Sequence, residues 1–422
     1  MSSNLHLAFP IEINALGPME RWPRLCNFPS MASPAKSEIQ PGRSYGRVLI
    51  ADDQEPVLFA LQMLLSGSGF STATVTHPSW VLRELENESF DAVLMDLNYT
   101  RDTIGGAEGL ELVSKIRLMD KLLPVVVMTA WSSVELAVDA MRRGASDFVQ
   151  KPWENRDLLQ KLQCQVARAH EQRQARRQHE EELHDAREIQ QHLLPKTLPE
   201  LSEFEIAALT RPLRAVGGDY YNVTRIDDRR TAICIADVAG KGMPAALLMS
   251  SLQATLQSLS SQNLEPQEMC RRLNRILCAL TPVGKFISLF YGVLDSFERR
   301  LTYCNAGHNP PLLIRADGQA EELAAEGAVL GQFPDWSYRQ NHVQLGSGDR
   351  LLLFTDGMVE ASNALEKPFE EHNLIRIARE NPRTTAKELM DLLIGAASHH
   401  CGGHFQDDAS LIVLKAISVE NN

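Results

Sequence analysis

The sequence predicts a multidomain chain. An α/β doubly wound unit with five parallel strands comes first. An α+β unit, a β-sandwich flanked by helices, comes last, and a long helix joins the two. Three observations predict this. Strand-like and helical runs alternate about five times between residues 47 and 165, the pattern of a parallel sheet covered on both faces. Residues 153–194 contain neither Pro nor Gly and are dense in Arg, Glu, Gln and His, with Pro152 and Pro195 as bounds. Strong helix formers without a broad apolar face suit a connector. From Phe204 to Lys415 short strand-like runs dominate, interrupted by three longer helical ones. The expected organisation is a disordered tail over 1–45, the α/β unit over 46–165, a linker over 166–195 and the sandwich over 196–418.

The totals narrow the function. A chain of 422 residues is long enough for two or three domains with cores of their own. Its net charge of −12 argues against a nucleic-acid partner, which calls for a basic domain. Seven cysteines occur with no CxxC pair, which points to reduced thiols in the cytoplasm rather than to a disulfide framework or a zinc site. There is no long apolar run to span a membrane and no basic-then-apolar leader pattern.

Residues 1–45 hold several prolines and no periodicity, as a terminal tail does. RVLIADD is then an apolar strand ending in acids, and EPVLFALQMLLSGSG is a helix with a glycine stop. Residues 72–76 are a weak strand and PSWVLRELENES a helix. FDAVLMDLN is a strand ending in an acid, GLELVSKIRLM a helix, LPVVVMTAW a strand, SVELAVDAMRRGA a helix and DFVQKP the last strand. Ligands of such sheets bind at the carboxyl ends of the strands. Those ends carry Asp52, Asp53, Asp96, Thr129 and Lys151. Three converging carboxylates call for a cation, and oxygen-only ligands suit Mg²⁺. With a hydroxyl and an ammonium beside it, Asp96 is equipped to attack a phosphoryl group.

These residues and their order resemble the CheY-type receiver domain of two-component response regulators. The resemblance implies Asp96 as phosphoacceptor, with Asp52, Asp53 and Asp96 holding Mg²⁺. It gives Thr129 and Lys151 contact with the phosphoryl group, and makes Phe148 the aromatic switch residue. A sensor histidine kinase or phosphotransfer protein is then the donor. The loop NYTRDTIGGAEG after Asp96 is longer than the usual pattern and lacks its Pro, so it bears on phosphoryl lifetime and donor choice.

In the long helix Leu159, Leu162, Val166 and Ala169 keep 3–4 spacing, which suits a coiled-coil seam. Apolar residues return at Leu183, Ala186, Ile189, Leu193 and Leu194 in a shifted phase. A homodimeric coiled coil with a weak polar middle and a solvated helix both fit this pattern, and the part from Asp157 to about Ala169 is expected to continue the last helix of the α/β unit.

In the last unit FEIAAL, DYYNVTRI, TAICIADV, FISLFYGVLD, RLTYCNAG, HNPPLLIR, DRLLLFTDG and ASLIVLK read as strands. PAALLMSSLQATLQSLS, PQEMCRRLNRILCAL and TAKELMDLLIGAAS read as helices. Acids stand beside glycine or at strand ends at Asp219, Asp237, Asp356 and the pair Asp407–Asp408. Carboxylates without convergent His or Cys select Mg²⁺ or Mn²⁺. Two such ions sharing an Asp activate water for attack on a phosphate ester. His308 is read as substrate-positioning or part of a turn, and Lys241 as phosphate-binding or a solvated loop residue. Arg211 and Arg214 could equally meet a phosphoryl group or stay in solvent. His399, His400, Cys401 and His404 are expected in a polar loop before the last strand, since the spacing of a zinc site is absent.

AREIQQHLLP, GGDYY, ADVAGKGMPAALLMS, CNAGHNPPLL, LLLFTDGMVEA and DDASLIV, in this order, resemble the SpoIIE/RsbU group of metal-dependent PPM serine/threonine phosphatases. The resemblance implies catalysis and metal binding through Asp219, Asp237, Asp356 and Asp407, with Asp408 beside it, the Val238 carbonyl as a further ligand and Asp237 bridging two Mn²⁺ or Mg²⁺ ions. It also implies a phosphorylated STAS-type anti-sigma factor antagonist as substrate. The expected function is a response regulator in which phosphorylation of Asp96 controls this phosphatase. The alternative is a receiver-controlled adaptor that is catalytically weak or inactive and sequesters a sigma-regulatory partner.

Overall fold

The structure is a computed structural model and describes residues 45–99, 107–130, 134–201, 203–323 and 327–417. The expected tail, up to residue 44, and most of the loop after Asp96 lie outside the described residues. The chain divides into two compact units, Met1–Arg173 and Gln174–Asn422.

The first unit alternates strands and helices throughout. Its elements are β1 (Gly46–Ala51), α1 (Glu55–Gly67), β2 (Phe70–Val75), α2 (Pro78–Asn87) and β3 (Ala92–Asp96). They continue with α3 (Ala107–Met119), β4 (Val125–Ala130), α4 (Val134–Arg142), β5 (Asp147–Lys151) and the start of α5 (Asn155–Leu193). The sheet order is β2-β1-β3-β4-β5, and every pair is parallel. Side chains alternate between two cores, as the two-residue strand period requires. Leu49, Val93, Met95, Val125 and Val127 pack with Leu110, Val113 and Ile116 of α3. Val48, Ile50, Leu94, Val126 and Met128 pack with Leu58, Leu61 and Leu65 of α1 and Leu158, Leu162 and Val166 of α5.

This packing decides between two expectations. Leu159, Leu162 and Val166 belong to the core of the first unit, and Ala169 is buried with them, so these residues do not form a coiled-coil seam. A helix that packs on a sheet needs the same 3–4 spacing as a seam, and the sequence pattern does not separate the two. Beyond Val166, His170 meets Asp91 at 2.7 Å and Arg173 meets Asp120 at 2.8 Å. Past the division, Ile189 is exposed, while Leu193 and Leu194 pack against the cores of the second unit.

The second unit is a four-layer sandwich. Its elements are β6 (Phe204–Arg211), β7 (Tyr220–Arg225), β8 (Arg230–Val238), α6 (Met243–Ser260), α7 (Pro266–Leu280), β9 (Ile287–Asp295) and β10 (Arg300–Ala306). Then come β11 (Leu312–Ile314), β12 (Ala320–Glu322), β13 (Asn341–Gln344), β14 (Arg350–Phe354), α8 (Asp356–Val359), α9 (Glu371–Glu380), α10 (Ala386–His400) and β15 (Ala409–Ala416). One antiparallel sheet runs β13-β10-β9-β8-β7 and the other β12-β11-β14-β15-β6. Between them lie Ile233, Ile235, Phe290, Leu294, Leu351, Leu353, Ile412 and Leu414. The outer faces carry α6 with α7 on one side and α9 with α10 on the other.

Helix α9 and the short strands β12 and β13 were not anticipated. EHNLIRIARE is mostly polar, and only Leu374, Ile377 and Ala378 are buried. Its carboxyl end is met by the buried Arg350, whose guanidinium donates to the carbonyls of Ala378 and Asn381, a cation where the helix dipole favours one. Helix α10 opens with a capping box of Thr385 and Glu388. It extends through His399 and His400, which end a helix rather than lie in a loop. Among the described residues no helix is long and apolar enough to cross a membrane.

Burial of Leu162 in the first unit gives a direct test. Leu162→Ala should lower that unit's stability by about 2–5 kcal/mol in chemical denaturation and leave the oligomeric state unchanged. A variant of normal stability with an altered mass by light scattering would restore the residue to an interhelical seam.

Candidate active sites

In the first unit the strand ends bring their polar residues together. Asp52 follows β1, Asp96 ends β3, Thr129 lies in β4 and Lys151 ends β5. Carboxylate oxygens of Asp52, Asp53 and Asp96 lie within 4.8 Å of one another. The Lys151 ammonium donates to Asp52 Oδ2 at 2.7 Å and to Asp96 Oδ2 at 2.9 Å. Burial raises the Asp96 carboxyl above its usual range, against the pull of Lys151 and the Asn98 amide. Burial opposes charge on Lys151 too, but Asp52 and Asp96 outweigh it and hold the ammonium above its ordinary value. Thr129 is buried, and Phe148 is partly exposed with Lys161 Nζ 5.2 Å from its ring centre. Tyr99 was not singled out from the sequence. Its ring is buried three residues after Asp96, and its hydroxyl has no partner among the described residues.

The second unit gathers acids from both sheets. Asp219 precedes β7, Asp237 lies in β8, Asp356 opens α8 just after β14, and Asp407 and Asp408 precede β15. Asp219 Oδ2 accepts hydrogen bonds from Thr355 Oγ1 at 2.7 Å and Ser410 Oγ at 2.6 Å, so an acid of one sheet is held by hydroxyls of the other. Burial, then the charge of Asp237, raises Asp219 well above the carboxylate range. Asp237 is pushed up to about 7, first by burial and then by Asp356 and Asp407. Asp356 is raised by burial and by Asp407. These mutual effects join the four acids in one field.

The donor set fits divalent cations. Among the described residues Asp219 Oδ1 is buried with no donor, and the neighbouring carboxylates repel one another, which is the environment a hard cation relieves. Among the described residues, only the receiver-like trio brings three ligand atoms within 4.8 Å. The carbonyl of Val238 lies beside Gly218, where a Cβ would come within 3.0 Å of it, so the approach of these two loops needs glycine.

Asp407 and Asp408 part company. Asp407 Oδ2 faces Lys241 Nζ at 2.7 Å. Asp408 Oδ1 accepts from the Leu213 amide at 2.7 Å and Oδ2 from the Gly218 amide at 2.6 Å, so Asp408 fastens the loop that carries Asp219. Gln190 fastens the same loop from α5. Its Nε2 donates to the Gly217 carbonyl at 2.7 Å and its Oε1 accepts from the Gly217 amide at 3.0 Å. Sequence reasoning missed Gln190, Thr355 and Ser410. For Thr355 and Ser410 the only signal was adjacency to Asp356 and to the Asp407–Asp408 pair.

The remaining candidates have local partners. His308 is buried, its Nδ1 is 2.8 Å from Ser288 Oγ, and burial pushes it down to about 4. Ser288 is the register partner of Asp237, so His308 braces the strand next to that acid. Arg211 lies over the Phe405 ring, and Arg214 is exposed. His400 donates from Nε2 to the Lys367 carbonyl at 2.9 Å, and Cys401 donates to the Ser398 carbonyl.

The profile of Stage II sporulation protein E (SpoIIE) matches residues 227–417, and that of the response regulator receiver domain matches residues 48–163. Phosphoserine phosphatase RsbU of Bacillus subtilis is 32% identical over 238 residues, 56% of this chain and 70% of RsbU. The chain belongs to the SpoIIE family of PPM-type protein phosphatases. Phosphoserine phosphatase RsbP of Bacillus subtilis is 27% identical over 237 residues, 55% of this chain and 57% of RsbP. The chain thus spans little more than half of RsbP. The SiaA-PP2C domain of Pseudomonas aeruginosa shares the fold, with a TM-score of 0.52 at 20% identity, covering 57% of this chain and 98% of that one. The SpoIIE-family unit is therefore the sandwich, and the receiver domain is the α/β unit before it. Phosphatases of this class depend on metal.

Hydroxyls that hold Asp219 should matter for metal binding, because groups orienting a ligand usually contribute 10–100-fold to affinity. Ser410→Ala is expected to raise the Mn²⁺ dissociation constant at least about tenfold in calorimetry. An unchanged constant would show that Asp219 does not depend on this bond.

Proposed function

We propose that this chain is a two-component response regulator whose output is a Mn²⁺- or Mg²⁺-dependent protein serine/threonine phosphatase. In this reading a histidine kinase or phosphotransfer protein phosphorylates Asp96, and the state of Asp96 sets the rate at which a phosphoprotein is dephosphorylated. The observation that carries the reading is the convergence of Asp219, Asp237, Asp356 and Asp407 in a SpoIIE-family unit that follows a receiver domain.

In the receiver, Asp52, Asp53 and Asp96 would hold Mg²⁺. A carboxylate oxygen of Asp96 bonds to phosphorus as the P–N bond of a donor phosphohistidine breaks. Lys151, already between Asp52 and Asp96, neutralises phosphoryl oxygens, and Thr129 donates to them. Phe148 then reports the phosphorylated state at the surface.

In the phosphatase, Asp219, Asp237, the Val238 carbonyl, Asp356 and Asp407 would hold the cations. The cations supply charge neutralisation at the phosphate and an acidified water. Thr355 and Ser410 orient Asp219, and Asp408 fastens its loop instead of acting as a ligand. Gln190 lets the end of α5 act on that same loop, which suits α5 as the element that carries the receiver's state. The substrate is read as a phosphorylated STAS-type anti-sigma factor antagonist, in keeping with the similarity to RsbU and RsbP, and the setting as the cytoplasm.

Asp237→Asn tests the metal assignment, since it removes the acid at the centre of the field. It should reduce Mn²⁺-dependent phosphate release from a phosphorylated STAS protein by at least about a hundredfold, within the range of a lost electrostatic catalytic group. Turnover equal to the unsubstituted chain would remove Asp237 from the centre.

A further inference from the structure

The loop between β8 and α6 presents one ammonium to the acids. Lys241 stands between Gly240 at φ 113° and Gly242 at φ 72°, a backbone path that favours glycine on both sides. The loop is anchored before the lysine. The Ala239 amide donates to the Phe286 carbonyl at 2.9 Å, and the Ala239 carbonyl accepts from Lys285 Nζ at 3.1 Å. It is anchored after the lysine where Gly242 caps α6. Lys241 Nζ donates to the Gln406 carbonyl at 2.6 Å and faces Asp407 Oδ2 at 2.7 Å, and its charge is also felt at Asp356. Among the described residues it is the cation in ion-pair contact with one of the four acids.

A cavity of about 410 Å³ opens beside it, lined by Lys241, Gly357, Glu360, Ser362, Gln406 and Asp407. Its wall is braced. Gln406 Oε1 accepts from the Ser362 amide at 2.9 Å, and Gln406 Nε2 donates to the Ser362 carbonyl at 3.1 Å. A phosphate monoester that approaches four carboxylates meets repulsion unless cations face it. Lys241 Nζ is a cation on an exposed loop, its present acceptors are one carbonyl and one of those carboxylates, and a strongly hydrated point charge with rotatable donors suits phosphate.

We propose that Lys241 grips the phosphate of the incoming phosphoserine, for which the adjoining cavity leaves room. The proposal rests on the phosphatase reading above and names the residue that selects a phosphate monoester there. Lys241 contacts the phosphate directly and leaves Asp407 when it does so. Its removal therefore weakens phosphate binding without weakening metal binding.

The test uses the full chain loaded with Mn²⁺, calorimetric titration with inorganic phosphate, and steady-state hydrolysis of p-nitrophenyl phosphate. In Lys241→Ala the phosphate dissociation constant and KM should both rise at least about tenfold, a loss of about 1.4 kcal/mol. The Mn²⁺ dissociation constant should stay the same or fall, because a competing cation is gone. Lys241→Arg should recover most of the phosphate affinity. Unchanged phosphate affinity in Lys241→Ala would overturn the proposal, as would a loss matched by an equal loss of Mn²⁺ affinity or an unsubstituted chain that binds no phosphate. If the unsubstituted chain binds Mn²⁺ and phosphate but hydrolyses nothing, the phosphatase reading fails, and the titrations still decide the role of Lys241.

Discussion

Like charges held close together at the ends of buried strands govern both units. Two carboxylates about 4 Å apart repel by about 4 kcal/mol at an effective dielectric constant of about 20. A flexible loop would let them separate, but strands locked into a sheet do not. Asp96 stands at the end of β3, a strand buried along its whole length, and Lys151 offsets part of its charge. Asp237 lies in β8 with Asp356 and Asp407 acting on it, and there Lys241 pairs with Asp407. Rigid placement costs stability in each unit, and a cation bound there would relieve it.

The two sheets of the phosphatase unit depend on each other at this point. Thr355 and Ser410 of one sheet hold Asp219 of the other. Asp408 and Gln190 both bind the backbone of the loop before Asp219, at Gly218 and Gly217. Gln190 belongs to α5, so the helix that leaves the receiver ends on the segment that places Asp219. A shift of a few tenths of an ångström in that turn would change the position of Asp219 through two hydrogen bonds, with no need for a larger rearrangement.

Much of this was legible in the sequence because two simple periods write it there. Parallel strands of the receiver are continuous apolar runs, and the sandwich strands end in acids that mark the site end of each sheet. Helix α9 was not legible because only three of its residues are buried in a polar stretch. The spacing of Leu159, Leu162 and Val166 fits both a coiled-coil seam and a continuation of the receiver's final helix, and the receiver core is the partner it meets. The two acids of the Asp407–Asp408 pair look alike as letters, yet the backbone turns one toward Lys241 and the other toward two amides. Gln190 was hidden in a run of Glu, Gln and His where side-chain amides usually face solvent, and only a fold that brings Gly217 to it reveals the clamp.

The central claim is that the state of Asp96 sets the output of the phosphatase centre through one continuous chain. The most direct measurement is the rate of phosphate release from a phosphorylated STAS protein, with and without acetyl phosphate, for the unsubstituted chain and for Asp96→Asn. A donor-dependent change in rate is expected in the unsubstituted chain and should vanish in Asp96→Asn. A rate indifferent to donor in the unsubstituted chain, or a donor response that persists without the Asp96 carboxylate, would contradict it.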